Sequence, residues 1–270
     1  MMKRIFYSLL LAGLLASCSN KIKPVIAGAA SADKNIRVLS YNIHHCNPPS
    51  KEGLIDVDAI VKAIRLQNSD LVALQEVDVN TKRSGNIDQA TLLADKLKMK
   101  VYFAKAIAHD GGDYGVAILS RYPLTDEQTF MLPKNSDAKA EQRVLAMATV
   151  TLPGGKKIKF ASTHLDAQKA DANRLLQIVE INRLTAKENL PVLIAGDLNA
   201  DPASEVIKIF DQQFIRTCAE CAFTIPVINP RKTIDHIAFK KGNPFSIVSH
   251  EVIAERYASD HLPVLAVLKL

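Results

Sequence analysis

Ten polar residues stand at or just past the ends of apolar, strand-like runs. Carboxylates and amides that gather without a set of cysteines are hard oxygen ligands, which suit Mg²⁺, Mn²⁺ or Ca²⁺ rather than a structural zinc ion. Each residue alone has a simpler explanation, because polar side chains often bond to nearby backbone groups. The joint pattern favours a metal site. Its members are Asn42, Glu76, His164, Asp166, Asp197, Asn199, Asp235, His236, Asp260 and His261.

The stretch IAGDLN, residues 194–199, shows the pattern in its most compact form. The apolar, β-branched run before it predicts a buried strand that stops at Gly196. Asp197 and Asn199 are two residues apart, so they point the same way if the chain stays extended. They would equally serve as turn formers, because Asp and Asn bond to their own backbone. Both interpretations stand at this point.

Helices between the strands are predicted from apolar residues at helical spacing. The first begins at Asp56, which is a good cap residue, and others cover 88–97 and about 203–210. A longer helix begins at Asp171 and ends near Lys187. The apolar face of the first helix is expected to comprise Val57, Ile60, Val61 and Ile64, and that of the long helix Leu175, Ile178 and Val179.

Roughly ten or more strands are predicted against three or four helices. The clearest hairpin pairs residues 143–152 with 156–166 across Pro-Gly-Gly. A purely parallel, doubly wound sheet would need more crossover connections. The predicted fold class is α/β (α+β), with two packed mixed β-sheets flanked by helices in a four-layer α/β/β/α sandwich. No linker divides residues 36–270, so one domain is expected there.

The N-terminal segment predicts export. Lys3 and Arg4 precede an apolar run at 5–15 that is too short to be a comfortable membrane span. The Leu-Ala-Ser-Cys box resembles a bacterial lipoprotein signal, which would make Cys18 the lipidated first residue; a plain signal peptide is the alternative. Residues 19–35 predict a flexible tether. The protein is expected to be lipid-anchored to a bacterial membrane, periplasmic or surface-facing.

Composition argues against a nucleic-acid tail. The 48% hydrophobic and 23% charged residues are ordinary for a globular protein. The formal charge of +6 includes Lys3 and Arg4, so the processed chain would carry +4, which is compatible with an anionic substrate. There is no long basic run and no tryptophan, which argues against a specific DNA-repair enzyme.

Cys218 and Cys221 form a Cys-x-x-Cys pair. In an exported protein such a pair favours a small disulfide loop, with free thiols as the alternative. A zinc site would need a second ligand pair, which the neighbouring sequence lacks, and a redox pair is the least favoured interpretation.

Seven segments in order resemble the endonuclease/exonuclease/phosphatase superfamily of metal-dependent phosphohydrolases. They are SYNI, LQEVD, GVAILSRYPL, STHLD, GDLN, IDHI and SDHLPV, and they extend over residues 36–270. The segments YNIHH, ALQEVD, TKRSGNIDQATLLA and GGDYGVAILSRYPL are similar to a bacterial branch known as metal-dependent hydrolases. The resemblance implies a chemistry more than a substrate.

The resemblance implies a metal site and a phosphate site. Glu76 matches the principal Mg²⁺ ligand, with Asn42 and Asp260 close to the metal and Mn²⁺ as an alternative ion. The remaining matches are Asp197 as the residue that orients or deprotonates the attacking water, Asn199 as a phosphate-contacting amide, His164 as a holder of the phosphoryl oxygens, and His261 paired with Asp235.

Other polar residues have more than one interpretation. Asp166 is either a supporting residue of the site or part of a turn. His236 follows Asp235 in a strand and is therefore expected to face away from it. Arg143 and Arg83 are candidates for binding an anionic substrate, although solvated arginine is the default. Three histidines near predicted loops are candidates for substrate contact: His44, His45 and His109.

The predicted function is hydrolysis of phosphoesters, as a phosphodiesterase or phosphatase (EC 3.1), by a protein expected to be a monomer. The substrate would be a phosphorylated small molecule, a lipid or a nucleic acid. A non-specific secreted nuclease is one alternative. An inactive lipoprotein that binds phosphorylated glycans or lipids is another, from a different class, and the intact set of site residues argues against it.

Overall fold

A computed structural model describes residues 35–270. The predicted signal segment, the lipidation of Cys18 and the tether up to residue 34 lie outside the described residues, and those expectations stay predictions. The strands are β1 Ile36–Asn42, β2 Leu71–Val79, β3 Lys100–His109, β4 Gly112–Ser120, β5 Leu124–Met131, β6 Val144–Thr151, β7 Lys157–His164, β8 Val192–Asp197, β9 Phe214–Arg216, β10 Asp235–Lys240, β11 Ser246–Val252 and β12 Val264–Lys269.

Four α-helices lie among these strands in the described part of the chain, with a short 3₁₀ turn at His44–Cys46. None of the helices described for residues 35–270 combines the length and the apolar character that a membrane crossing requires. The helices are α1 Val57–Leu66, α2 Gln89–Leu97, α3 Ala172–Ala186 and α4 Glu205–Gln213.

The strands form two mixed sheets of six. Sheet 1 has the order β11-β12-β1-β2-β4-β3, and sheet 2 the order β5-β6-β7-β8-β10-β9. Each sheet contains one parallel pair, β1 with β2 and β7 with β8, and every other pairing is antiparallel. A parallel pair needs a crossover connection, and α1 and α3 are those crossovers.

Three apolar clusters define four layers. Between the sheets, side chains such as Val38 and Phe160 form a buried core. Helices α1 and α2 cover the outer face of sheet 1 over residues such as Leu39, and α3 and α4 cover the outer face of sheet 2 over Ala161. Because both faces of each sheet are buried, the central strands are nearly continuous apolar runs. The predicted α/β/β/α sandwich is confirmed.

Most local predictions hold, with one correction. Asp56 caps α1 as expected, since its side chain accepts from the Ala59 backbone NH at 2.9 Å. In α3, however, the prediction that Val179 faces inward is wrong, because 53% of this residue is exposed. The buried stripe of α3 passes through Ile178 and Ile181 instead, and Val179 lies about 100° around the helix from Ile178.

Candidate active site

Three predicted site residues stand in one row across sheet 2. The pairing register places Asp197 beside His164 of β7 on one side and beside Asp235 of β10 on the other. Parallel strands β7 and β8 end at the same edge of the sheet, and the antiparallel β10 begins there. The three residues share this row because of topology, although 71 residues of sequence separate the outer two.

Gly196 allows β8 to approach β7 closely. A Cβ atom built on Gly196 would lie 2.1 Å from the backbone oxygen of Thr163, which no side chain tolerates. Asn199 then turns the chain in a left-handed conformation, φ 47°, and its backbone NH donates to Asp197 Oδ1 at 2.8 Å. Both interpretations of the segment therefore hold: it forms a turn, and it places Asp197 at the site.

Sheet 1 contributes Asn42 from the end of β1 and Glu76 from an irregularity in β2. The pairing of β2 with β4 shifts between Leu74 and Val77, and Glu76 adopts a left-handed φ of 56°. Such bulges re-aim a side chain relative to the rest of its strand. Asn42 Nδ2 donates to Glu76 Oε1 and to Asp197 Oδ2, at 3.1 Å each. One amide thus connects the two sheets at the site.

Asp235 and His261 form a buried pair. His261 Nδ1 donates to Asp235 Oδ2 at 2.9 Å, and its Nε2 lies 3.7 Å from Asp197 Oδ2. Burial alone would lower the pKa of His261, but the charge and hydrogen bond of Asp235, with the charge of Asp197, raise that pKa to about 10. The imidazole is therefore cationic at neutral pH, and its Nε2–H points toward Asp197.

Asp197 is the centre of the row. Its Oδ2 atom lies 3.1 Å from Asn42 Nδ2, 3.6 Å from His164 Nε2 and 3.7 Å from His261 Nε2. Burial, followed by the negative charge of Asp235, raises the pKa of Asp197, and the His261 cation opposes that shift. A carboxylate with a raised pKa is a better proton acceptor than an exposed one.

His164 lies between the Asn199 amide and the Arg143 guanidinium, and a neutral ring accepts from only one of them. Asn199 Nδ2 contacts its Nε2 at 3.0 Å, and Arg143 Nη1 contacts its Nδ1 at 3.3 Å. Burial, with the charge of Arg143 added, keeps the pKa of His164 well below its usual range, so the ring is neutral. The default expectation of a solvated Arg143 is wrong, because the residue is buried behind the site and pairs with Glu141 at 3.1 Å.

Asn199 and Asp260 take positions at the edge of the row. The Asn199 amide also donates to the Leu165 backbone oxygen at 3.0 Å, so it faces β7. Asp260 is half-buried beside His261, and its charge helps to raise the pKa of that imidazole. Ser259 donates to the Asn42 backbone oxygen at 2.7 Å, which ties the Asp260 segment to the end of β1.

Two residues of the predicted set, Asp166 and His236, bond to nearby backbone groups. Asp166 is buried and accepts from the Gln168 backbone NH at 2.9 Å, as a turn residue does. His236 faces away from Asp235, as expected, and its Nε2 contacts the Ala200 backbone oxygen at 3.2 Å.

Asp78 and its partners are a part of this edge that sequence reasoning missed. Arg83 donates to both carboxylate oxygens of the buried Asp78, at 2.7 and 2.8 Å, and lies over the Tyr114 ring at 5.5 Å from the centroid. Arg83 is thus fixed by a two-point ion pair, while 33% of its side chain stays exposed, so the expectation of a solvated arginine holds in part. One signal was present: Asp78 is two residues beyond Glu76 in the same strand.

The disulfide interpretation of the Cys-x-x-Cys pair agrees with the structure. Cys218 and Cys221 are bonded to each other, with their Cα atoms 5.0 Å apart. The bridge closes a turn in the connection between β9 and β10.

Glu76 fits a divalent cation. Burial would raise the pKa of Glu76, but the neighbouring His45 ring, His164 and the Asn42 amide hold it far below the usual range, so the carboxylate is ionised. Its Oε1 has the Asn42 hydrogen bond, whereas Oε2 faces His45 Nδ1 at 3.9 Å, which is longer than a hydrogen bond. The half-buried Asp260 adds a second carboxylate to this end of the sheets. These oxygen donors suit Mg²⁺ or Mn²⁺.

Relatives of this chain share its length and fold. It is 26% identical over 250 residues to the uncharacterized protein YbhP of Escherichia coli K12, which covers 87% of this chain and 97% of that protein. Among solved structures, a mannosyl-6-phosphatase of Bacteroides thetaiotaomicron superposes with a TM-score of 0.70 at 18% identity, over 87% of this chain and 100% of the other. The human Nocturnin catalytic domain with bound sulfate gives 0.68 at 21% identity, over 87% and 93%.

The family follows from the sequence match. The sequence model of the Endonuclease/Exonuclease/phosphatase family matches residues 39–261, which include the whole row of site residues and every strand except β12 and the start of β1. Members of that family are hydrolases that generally use a divalent metal. The chain belongs to the Endonuclease/Exonuclease/phosphatase family, as a hydrolase of that superfamily.

Proposed function

We propose that the protein hydrolyses phosphoesters, as a phosphodiesterase or phosphatase, by attack of water on phosphorus. The observation that carries this proposal is the position of the Asp235–His261 pair, whose imidazolium points toward Asp197 across from the ionised Glu76. A cationic donor, a buried proton acceptor and a cation-binding carboxylate therefore meet at one edge of the sandwich. Attack on a phosphoester needs those three functions.

The residues at the sheet 2 edge, with His261 from the loop before β12, bind and move protons in this proposal. Asp197 accepts a proton from the attacking water, which a raised pKa favours, while the P–O bond to the leaving alcohol breaks and that alcohol's oxygen takes a proton from solvent. His261 donates to a nonbridging oxygen as negative charge develops there, and Asp235 keeps the imidazole charged and fixed in orientation. Asn199 and His164 would hold the phosphoryl group by exchanging the hydrogen bond that they make with each other for bonds to its oxygens. A positioned base contributes roughly 10² to 10⁴ in rate.

Glu76 would hold Mg²⁺ or Mn²⁺, with Asn42 and Asp260 beside it. The ion would supply Lewis-acid stabilisation of the phosphoryl oxygens. Asn42 keeps Glu76 and Asp197 in register through its two hydrogen bonds, so both carboxylates stay fixed when a substrate enters.

The substrate proposed is a phosphorylated small molecule, a lipid headgroup or a nucleic acid, acted on by a monomer. A phosphomonoester is favoured because one of the fold neighbours is a mannosyl-6-phosphatase. The processed chain would carry +4, which suits an anionic substrate. An inactive binding lipoprotein would be expected to lack one of Glu76, Asp197, Asp235, Asp260 and His261, and this sequence has them all.

A substrate panel tests the proposal. The purified protein is assayed on sugar phosphates, nucleotides, phosphodiesters, phospholipids and DNA with Mg²⁺, Mn²⁺, Ca²⁺ or EDTA. We expect cleavage of at least one phosphoester with Mg²⁺ or Mn²⁺ and none in EDTA. Full activity in EDTA, or no ester cleaved with any ion, would contradict the proposal.

We also propose export and lipid anchoring through Cys18. The protein is expected to fractionate with membranes and to incorporate a fatty-acid analogue, and Cys18→Ala is expected to remove the label. Equal labelling of Cys18→Ala would refute this processing.

A further inference from the structure

Two histidines lie against Glu76 and have no part in the proposed function. A ring nitrogen of His44, a ring nitrogen of His45 and a carboxylate oxygen of Glu76 all lie within 4.8 Å of one another. Imidazole nitrogen favours Zn²⁺, Ni²⁺, Co²⁺ and similar ions, whereas Mg²⁺ prefers oxygen ligands. We propose that His44, His45 and Glu76 form a second cation site, next to the one at Glu76 and Asp260, which takes a divalent transition metal in preference to Mg²⁺.

The ring of His44 is oriented as a metal ligand is. Its Nδ1 lies 2.8 Å from the Asn47 backbone oxygen, and because a carbonyl oxygen only accepts, Nδ1 carries the proton. The lone pair is therefore on Nε2. Histidines that bind metals almost always donate their other ring nitrogen to a carbonyl or carboxylate in this way, which fixes the tautomer and the ring orientation.

The ring of His45 has an unused nitrogen on the side of Glu76. His45 Nδ1 is buried and has no hydrogen-bond partner among residues 35–270. It faces Glu76 Oε2 at 3.9 Å. Ligand atoms about 2.1 Å from a shared ion lie roughly 3 to 4 Å apart. The separation is too long for a hydrogen bond and suitable for two ligands of one ion.

The two oxygens of Glu76 face different neighbours. Oε1 accepts from Asn42, on the side of Asp197, and Oε2 faces His45. A carboxylate in this position can bridge two ions, one on each side. The second site would use Oε2, and the ion beside Asp260 would use the lone pair of Oε1 that the Asn42 hydrogen bond leaves.

The backbone of this turn is strained and held in place. His44, His45 and Cys46 all have a positive φ, at 44°, 42° and 60°. Non-glycine residues adopt this conformation at a cost, and such strain concentrates at ligand sites. The buried Gln89 fixes the turn by donating to the His45 backbone oxygen at 2.7 Å. The strain keeps both rings against Glu76, whose own φ is also positive.

The simpler explanation is an ion pair between a protonated His45 and Glu76. That explanation accounts for one histidine, and it predicts a contact shorter than 3.9 Å. It leaves the orientation of His44 and the shared strain of the turn without a reason. It also makes a different prediction, because an ion pair needs no metal.

Cobalt binding tests the proposal. The full-length protein is stripped with EDTA, saturated with Mg²⁺ and titrated with Co²⁺ by calorimetry and visible absorption. We expect one Co²⁺ per chain that excess Mg²⁺ does not displace. His45→Asn and His44→Asn are each expected to weaken Co²⁺ binding by about 100-fold or more. That loss exceeds the one expected on removing a residue that only hydrogen-bonds to a metal ligand. Asn tolerates the left-handed backbone, so these variants keep the turn.

His250→Gln is the matched control, since that imidazole contacts Thr217 and lies outside the cluster. It is expected to bind Co²⁺ like the wild type. Pulsed electron paramagnetic resonance of the Mn²⁺-loaded wild type needs no variant, and ¹⁴N couplings from imidazole are expected. Displacement of Co²⁺ by Mg²⁺, unchanged binding in both Asn variants, or absence of ¹⁴N coupling would overturn the second site.

The outcome is separate from that of the proposed function. Phosphoester hydrolysis in Mg²⁺ alone without a Co²⁺ site would overturn the second site and leave the hydrolase proposal intact. A Co²⁺ site lost in His45→Asn, in a protein that cleaves no phosphoester, would support the second site and contradict the function.

Discussion

The two sheets contribute unequal halves to the site. In the sheet 2 half, to which the loop before β12 adds His261, Asp197 Oδ2 accepts from Asn42 and Asp235 Oδ2 is joined to His261 at 2.9 Å. The buried Asp235 Oδ1 has no hydrogen-bond partner among residues 35–270. In the sheet 1 half, Glu76 is bonded through one oxygen only, and His45 Nδ1 has no partner in the part of the chain described here. The first half is preorganised by contacts among its own charged groups, whereas the second has free ligand atoms around an ionised carboxylate.

This difference separates two roles. A preorganised group stabilises developing charge without reorganising when the reaction occurs. A carboxylate with a free oxygen at the same edge can take an ion from solution. His261 is therefore expected to stabilise developing charge without any added ion. Glu76 is expected to do so only through the cation that it binds.

The largest expected effect comes from removing the sheet 1 charge. Glu76→Gln keeps a side-chain oxygen that can accept from Asn42, but it loses the negative charge that binds the cation. We expect kcat to fall by about 10³ or more, which corresponds to about 4 kcal/mol of transition-state stabilisation. Melting temperature is measured with and without Mn²⁺. The wild type is expected to gain stability with the ion, and Glu76→Gln to gain none.

Asp235→Asn is the matched control for that measurement. It removes a buried carboxylate from the other half, so the Mn²⁺-induced rise in melting temperature should persist although the variant is less stable overall. A rise in Glu76→Gln as large as in the wild type would show that the ion binds elsewhere.

The Asp235–His261 pair is expected to give the next largest effect on kcat. Asp235→Asn, His261→Ala and the double variant are each expected to lose about 10² in kcat with little change in KM, because the charge that they oppose develops mainly in the transition state. Since the two residues act as a unit, the losses should not add. The measurements are kcat and KM on one substrate, with circular dichroism as the check on folding. Strictly additive losses would mean that the residues act independently.

The sequence predicted the sheet 2 half better than the sheet 1 half. Asp197 and Asp235 end or begin regular strands, so strand-end reasoning placed them at one edge and the pairing register confirms the row. Glu76 was found too, but its direction depends on a bulge that the run LVALQEVD does not reveal. Register shifts arise from pairing with β4, which is remote in sequence.

Residues whose surroundings come from other strands were the hardest to predict. Arg143 begins a strand and was expected in solvent by default, yet His164 of the neighbouring strand covers it. Val179 fits an apolar pattern but faces solvent, because the stripe of α3 that packs on the sheet passes through Ile178 and Ile181. The left-handed turn at His44 and His45 has no local signal such as glycine.

The two halves should also respond to pH in opposite directions. The pKa of His261 is raised to about 10, so its contribution to stability is complete below pH 6.5 and is lost as the pH rises toward 10. The pKa of Glu76 is lowered, so its contribution is present above pH 4.5 and is lost as the pH falls. One proton changes the unfolding free energy by up to about 1.4 kcal/mol per pH unit.

Denaturant unfolding in EDTA between pH 2 and 10 measures both limbs. His261→Gln is expected to flatten the alkaline limb, and Glu76→Gln to reduce the acid limb, to which the buried neutral His164 and His236 also contribute. An alkaline limb that is as steep in His261→Gln as in the wild type would contradict the cationic assignment of that imidazole.

The smallest catalytic effect is expected at the disulfide, and it tests whether the sheet 2 half is preorganised by strand pairing. The Cys218–Cys221 bridge lies in the connection that leads into β10, whose first residue is Asp235. Asp235 is already fixed by its register with Asp197 and by His261.

We therefore expect the Cys218→Ser, Cys221→Ser double variant to lose about 2 kcal/mol of stability, as loop-closure entropy predicts for so short a loop. Its kcat should stay within a factor of two. Reductant should lower the melting temperature of the wild type to that of the variant and leave the variant unchanged. A tenfold fall in kcat in the folded variant would show that the bridge, rather than strand pairing, positions Asp235.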